Sequence, residues 1–490
     1  MSPFFILSIL FIYFSILIFI SWRTSQGADT NDFFIAHKQS SWYLVAFGMI
    51  GASISGVTFI SVPGAVLKNQ FSYFQMVLGY AVGYIVVATI LLPLYYRLNL
   101  ISIYEYLLQR FGFWSYKTGA FFFLLSRTIG AGLRVFLAAS VLQLVVFEAW
   151  GVPFWVTSVV TIFLIWVYTF QGGIKTIIWT DTLQTFFLLS AVVVSIYLVK
   201  NELNFTWFSM ASAISESAYS QVFFWDSVQD SKFFWKQFLA GVFITIVMTG
   251  LDQDLMQKNL TCKNIGEAQK NMFWFTIILV VINLLFLSLG ALLYMYASSK
   301  NITLPAKTDM LYPTLAFQHF GTVAGVAFLL GIIASTYASA DSALASLTTS
   351  FCIDFLEANK KTEAVRKRLV RYTHIGFSVL LVITMLIFRQ VQEAYPQGNV
   401  LQSLFSVASY TYSPLLGLFA FGLSMRRQVR DSLVPLVCLI APFVGYRLAV
   451  NAPVLFNGYQ FGFEILIVNG LLVFLGLWLV SISNKKPLLK

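Results

Sequence analysis

Apolar runs of about 20 residues recur along the whole chain between short polar stretches, and each is long enough to cross a hydrocarbon core about 30 Å thick as a helix. Thirteen such spans are expected, at roughly 3–22, 42–67, 72–96, 118–147, 153–170, 181–199, 234–251, 272–298, 321–348, 370–388, 400–424, 432–450 and 462–482. With every backbone polar group needing a partner inside lipid, that pattern predicts an all-α polytopic membrane protein. Two spans interrupt their own pattern. The second carries "FGMIGASISGVTFISVPGAV" from Phe47 to Val66, where glycines, hydroxyls and a proline sit inside an apolar run. The seventh ends in "TIVMTGLDQDLMQKNL", where Gly250, Asp252 and Asp254 stand in a run that had no compositional need to stop.

Broken helices at corresponding places in two halves of a chain mark a transporter-type binding site, because unwinding frees backbone carbonyls to ligate. The second and seventh spans are five apart, the separation of a five-plus-five inverted repeat behind one leading helix. The expected organisation is a leading helix over 1–22, a first repeat of five helices over 42–199, a second over 234–424, and two trailing helices with a short cytoplasmic tail over 432–490. For the second span, a small-residue packing face is the alternative to a break.

Composition narrows the class. The chain is 58% hydrophobic, 17% aromatic and 10% charged, where a soluble domain carries about 25% charged residues. No basic residue precedes the first span, Arg23 follows it and no small-residue cleavage site is present, so it reads as an anchor with the N-terminus outside. Most of the 31 Lys and Arg fall on one set of loops, which includes Arg97, Arg110, Lys258, Lys263, Lys270 and the segment "EANKKTEAVRKRLVR". The positive-inside rule makes that set cytoplasmic, together with the C-terminus. The opposite loops hold few cations, among them Lys68, Lys200, Lys232, Lys236, Lys300 and Lys307. The net charge of +11 is thereby accounted for by topology and calls for no nucleic-acid partner. A compact chain of this kind suits a plasma membrane, in particular a bacterial inner one.

Cys262, Cys352 and Cys438 show no paired spacing, and His37, His319 and His374 are scattered, so neither a disulfide framework nor a metal centre is expected. With no nucleophile–base pair and no glycine-rich phosphate loop, the chain does not read as an enzyme. A membrane solute sensor is a remoter reading, since no signalling domain is appended.

The ninth span, "GIIASTYASADSALASLTTSFCID", puts Ser335, Ser339, Ser342, Ser346 and Thr349 on one stripe. Helix packing is one use for such a stripe. Ligation of a hard cation, which prefers several oxygens, is the other. Asp341 in the same span favours the second, because a carboxylate at membrane depth is costly and by default marks an ion or proton path. Asp181 stands at the expected start of the sixth span in "GGIKTIIWTDTLQ", where a helix cap would also explain it. Arg127 and Arg134 in "SRTIGAGLRV" are two turns apart and share a face, suited to neutralising buried acids or to gripping a carboxylate.

Taken together, "GASISGVTFISVPG", "RTIGAGLRV", "GGIKTIIWTDTLQ", "DQDLMQKNLTCKN" and "SADSALASLTTSFCID", in that order, resemble the sodium:solute symporter family over nearly the whole chain. The resemblance implies the leucine-transporter-type inverted-repeat fold and sodium-coupled import of a small solute across a lipid bilayer. It implies a sodium site from the carbonyls of Gly51, Ile54 and Ser335 and hydroxyls at 338 and 339, although Ala338 lacks one and only Ser339 keeps it. Members resembling sialic acid transporters carry a second site, matched here by Ala338, Asp181, Asp341 and Ser342, which would hold a cation or a proton. Substrate contacts carry over to Ser55, Thr58 and Phe59, with Asp252, Gln253 and Gln75 nearby. Arg134 aligns with an arginine that grips a carboxylate. An organic anion such as a sialic acid or a monocarboxylate is therefore expected. The alternative is a sodium- or proton-coupled sugar or polyol. Proline-type members carry an aspartate where Ser53 stands, so proline is not expected. Ion stoichiometry and oligomeric state are not legible.

Overall fold

A computed structural model describes residues 3–26, 30–169, 173–394 and 400–485. Residues 1–2, Phe170, Gly172 and the tail after Lys485 therefore lie outside the described residues. Every expected span has a helical counterpart. Eight are long apolar helices: α1 (Phe4–Ser25), α3 (Tyr73–Arg97), α4 (Phe113–Trp150), α6 (Gly173–Glu202), α8 (Ile265–Ser299), α9 (Gly321–Phe355), α10 (Glu363–Ala394) and α12 (Asp431–Leu455). Two are shorter apolar helices, α5 (Phe154–Thr169) and α13 (Ile465–Leu479). The remaining three are bent pairs: α2a (Trp42–Ser53) with α2b (Gly56–Asn69) at 56°, α7a (Phe234–Gly250) with α7b (Gln253–Leu260) at 62°, and α11a (Val400–Thr411) with α11b (Ser413–Ser424) at 45°.

The breaks in the second and seventh spans fall where glycine and polar residues interrupt the apolar pattern. The third bend was not expected, and Pro414 accounts for it. A proline has no N–H to give the preceding turn and its ring collides with the carbonyl four residues back. A second difference concerns α6, which begins at Gly173 rather than near 181. Asp181 thus lies two turns inside a helix, and the capping explanation for it falls away. In the seventh span a wide π-type turn over Ile246–Gly250 loosens the helix directly ahead of the break.

Burial separates centre from periphery. In its most apolar stretch α9 is 78% buried while α10 is 17% buried, so α9 is the central post and α10 faces outward. Helix α6 packs along α9 and α2a, α3 along α7a, and α8 along α2b. Large apolar side chains such as Phe11, Phe19, Trp22, Phe163, Phe443 and Leu479 are exposed on the outer surface, the arrangement that a lipid environment rewards. The only strands among the described residues are Arg427–Val429 and Ser481–Lys485, which pair antiparallel and tie the end of the described chain to the segment after α11b.

Candidate functional site

Both interrupted helices open onto one cavity of about 690 Å³, its mouth included. The α2 break contributes residues 52–55 and Thr58, and α4 contributes Arg127 and Arg134. Opposite them stand hydroxyls from Tyr73, Tyr80 and Tyr84 of α3 and Thr245 and Thr249 of α7a, with Asn283 of α8. Of these, the sequence had singled out Ser53, Ile54, Ser55, Thr58 and the two arginines, and had missed the tyrosines, Thr245, Thr249 and Asn283. A signal was present all the same: Tyr73, Tyr80 and Tyr84 recur at seven and four residues, one face of a helix.

The two arginines differ in one respect that decides their roles. Arg127 forms a buried ion pair with Asp254 of α7b. Arg134 is 7% exposed and makes no hydrogen bond or ion pair among the described residues. A buried, unsatisfied guanidinium is costly unless something supplies the missing charge.

The other substrate candidates are engaged elsewhere. Asp252 caps α7b, accepting from the Asp254 amide at 2.8 Å, while its second oxygen accepts from the Tyr412 hydroxyl at 2.5 Å. Gln253 donates to the Ile101 carbonyl and accepts from the Ile103 amide, fixing the segment after α3. Gln75 donates to the Lys232 carbonyl at 2.9 Å and accepts from the Phe224 amide at 3.2 Å. Phe59 sits in an aromatic cluster with Phe286, Tyr312 and Phe328. Of the expected contacts, Ser55, Thr58 and Arg134 face the cavity.

At the α2 break the chain closes its last turn with Ile54 N–H donating to the Ile50 carbonyl at 2.8 Å, then departs from the helix. Among the described residues, no backbone amide reaches the carbonyls of Gly51, Ala52, Ser53 or Ile54. The glycines let α6 and α9 approach the break. A methyl group on Gly51 would run into the Thr185 hydroxyl of α6, and one on Gly56 into the Thr336 hydroxyl of α9. Helix α6 closes the same spot, with the Thr185 hydroxyl donating to the Phe47 carbonyl at 2.9 Å. On α9, Ser339 donates to the Thr336 carbonyl at 2.8 Å and Ser335 to the Ile332 carbonyl at 3.0 Å. Each hydroxyl oxygen thereby keeps its lone pairs. Freed carbonyls and serine oxygens are the donor types that suit a hard monovalent cation, by the same oxygen preference that governs other hard cations.

The second set of candidates is already partly occupied by the protein itself. Asp181 accepts from the Lys258 ammonium at 2.5 Å, with side-chain exposures of 0% and 1%. Among the described residues its other oxygen has no hydrogen-bond partner, and neither does the Ser342 hydroxyl. Asp341 accepts from the Tyr168 hydroxyl at 3.0 Å and from the Ser342 amide at 2.5 Å. Among the described residues Lys258 pairs with Asp181 alone, and Asp341 feels both charges only through space. Lys258, counted above among cytoplasmic loop cations, is instead buried in the core. It lies four residues after Asp254, so α7b is tied to α4 and to α6 by two buried ion pairs.

A sequence model of the sodium:solute symporter family matches residues 33–431. The sodium/sialic acid symporter NanT of Aliivibrio fischeri is 25% identical over 455 residues, covering 89% of this chain and 86% of that protein. Mouse sodium-coupled monocarboxylate transporter 1 is 25% identical over 438 residues, covering 85% of this chain and 68% of that one. Among solved structures, the substrate-bound outward-open state of a sodium-coupled sialic acid symporter superposes with a TM-score of 0.82 at 18% identity over 98% of each chain. The nucleobase-cation-symport-1 family transporter Mhp1 superposes with a TM-score of 0.53 at 16% identity over 91% of this chain and 94% of its own. At such identities the structures speak for the fold.

Proposed function

Because the chain belongs to the sodium:solute symporter family, a family of multi-pass membrane transporters for which sodium is the coupling ion, we propose that it imports a small organic anion held at the α2 break by Arg134. The observation that carries this reading is a buried guanidinium on the cavity wall with no partner of its own. A carboxylate would supply two acceptors in the plane of that fork, and Ser55 and Thr58 at the start of α2b line the same cavity. A neutral sugar would leave the guanidinium without a directly bonded anion, with Asp252 acting on it only through space. The hydroxyls of Tyr73, Tyr80, Tyr84, Thr245 and Thr249, with Asn283, suit the hydroxylated body of an acid larger than a three-carbon one.

The coupling follows from where the ion sits. Sodium held by the carbonyls of Gly51, Ile54 and Ser335 and by Ser339 bridges the broken helix and α9, which favours the arrangement open to the outside. Substrate then binds between both breaks, and the inverted-repeat bundle rocks to release both into the cytoplasm. Each ligand contributes only through its unequal affinity for the two arrangements. The N-terminus is outside and the C-terminus cytoplasmic in this scheme. Asp181, Asp341 and Ser342 supply a second cation or proton site, in competition with Lys258.

The test is the thermal stability of purified protein with sialic acids, monocarboxylates, sugars and amino acids, each in sodium and in potassium. A ligand of the native state at about a hundred times its Kd adds about 2.7 kcal/mol. Stabilisation is expected with an anion in sodium and not in potassium. Stabilisation by sugars alone would overturn the anion reading. Ser339→Ala is expected to raise the sodium concentration for half-maximal uptake several-fold with unchanged melting in potassium. An unchanged sodium requirement would remove Ser339 from the ion's ligands.

A further inference from the structure

We propose that the outer vestibule is a separate capture site for organic anions, where Lys68 and Lys232 hold a carboxylate before it descends to Arg134. The inference rests on the anion reading above. The vestibule is a second cavity of about 1650 Å³, its mouth included, and Tyr73 and Leu401 line both it and the inner cavity, so the two are stacked along one path. Its walls carry Lys68, Lys232, several amides and hydroxyls, and no Asp or Glu.

Nearby acids are hydrogen-bonded to backbone amides or a hydroxyl, and other lysines, Lys236 and Lys307, face their charges. Asp230 accepts from the Lys232 amide, Glu464 accepts from the Tyr459 hydroxyl and the Gly462 amide, and Asp309 accepts from the Val400 amide. Lys236 supplies the countercharge to Asp230 and Glu464 from its seat against the Tyr459 ring at 3.7 Å. Lys68 and Lys232 form no salt bridge with an acid among the described residues.

Lys68 alone would be explained by its place in the last turn of α2b, where a cation meets free carbonyls. Lys232 reaches the same helix end from outside, its ammonium donating to the Lys68 carbonyl, and its position is constructed. Gln75, fully buried, clamps the Lys232 carbonyl and the Phe224 amide together. The Lys232 ammonium then lies 5.3 Å from the centre of the Phe224 ring and 3.4 Å from the Lys68 carbonyl, at the rim of the vestibule. On a face where the positive-inside pattern leaves few basic residues, two of them line this one cavity. A cleft of one sign between low-dielectric walls focuses its field and concentrates the opposite charge. In this arrangement Gln75 is a positioning residue, which gives a use to a side chain that does not reach the inner site.

The test is uptake of N-acetylneuraminate and of pyruvate into proteoliposomes at fixed sodium, with choline chloride setting the ionic strength between about 20 and about 300 mM to change screening. The K68Q/K232Q variant is expected to raise KM roughly five- to tenfold at the low ionic strength with little change in kcat, and to converge with wild type at the high one. K68R/K232R restores the wild-type KM. A KM equal to wild type at low ionic strength, or a rise that salt does not remove, overturns the capture site. If Arg134→Gln still abolishes anion uptake in that event, the central reading stands. If neither acid is carried, both readings fall.

Discussion

Replacing Lys258 with methionine is expected to cost about 3–5 kcal/mol of stability, the penalty for stranding one member of a buried ion pair. Asp181 would keep its charge-bearing oxygens at zero exposure with the ammonium gone. The companion change Asp181→Leu strands the lysine and costs a similar amount. Making both changes together removes the pair and its desolvation penalty at once, so the double variant should lie well above the sum of the singles. A double-mutant cycle on apparent melting temperature in detergent reads this directly, and additive losses would show that the pair is not coupled. The same experiment bears on the second cation site. With Lys258 withdrawn, Asp181, Asp341 and Ser342 are free to accept a mobile cation, so the melting temperature of the lysine variant should recover more in sodium than that of wild type. Equal recovery would count against that site.

The two arginines of α4 should respond in opposite directions. Arg134→Gln removes a buried cation that no described residue hydrogen-bonds or pairs with directly, Asp252 acting on it only through space, so the ligand-free protein is expected to keep or gain stability. Its kcat/KM for an anionic substrate should nevertheless fall at least about a hundredfold, because a charge-assisted, bidentate contact is lost. Arg134→Lys should recover part of that loss, since it keeps the charge and not the fork. Arg127→Gln, two turns away on the same face, strands Asp254 and should destabilise the protein whether or not substrate is present. Melting curves together with anion uptake separate the cases. A stable Arg134→Gln protein that transports normally would eliminate the proposed carboxylate grip.

Much of the architecture was legible because lipid imposes a strong rule on sequence. A helix must supply about 20 apolar residues to cross, and the described spans follow that pattern closely at their centres. Where the reading missed, a local feature outweighed the average. Pro414 bends the eleventh span inside a continuous apolar run, and Ile174, Ile177 and Ile178 extend α6 backward past the polar residues that suggested its start. The candidate site divides in the same way. Glycine and hydroxyl patterns marked Gly51, Ser55, Thr58 and Ser339 without any coordinates. Gln75, Asp252 and Gln253 carry polar groups at plausible positions, yet those groups are hydrogen-bonded to structure elsewhere.

By itself the sequence determined the order of the apolar helices, the two interruptions at glycine and polar residues and the serine stripe on α9. These follow from period and composition, which act along the chain. Only the tertiary structure decided which of two equivalent arginines is free, that Lys258 is buried on Asp181, and that Gln75 holds an outer loop. Charge pairing in a low-dielectric interior depends on which helices meet, and residues more than a hundred positions apart, such as Arg127 and Asp254, leave no mark of that meeting in a single chain's sequence.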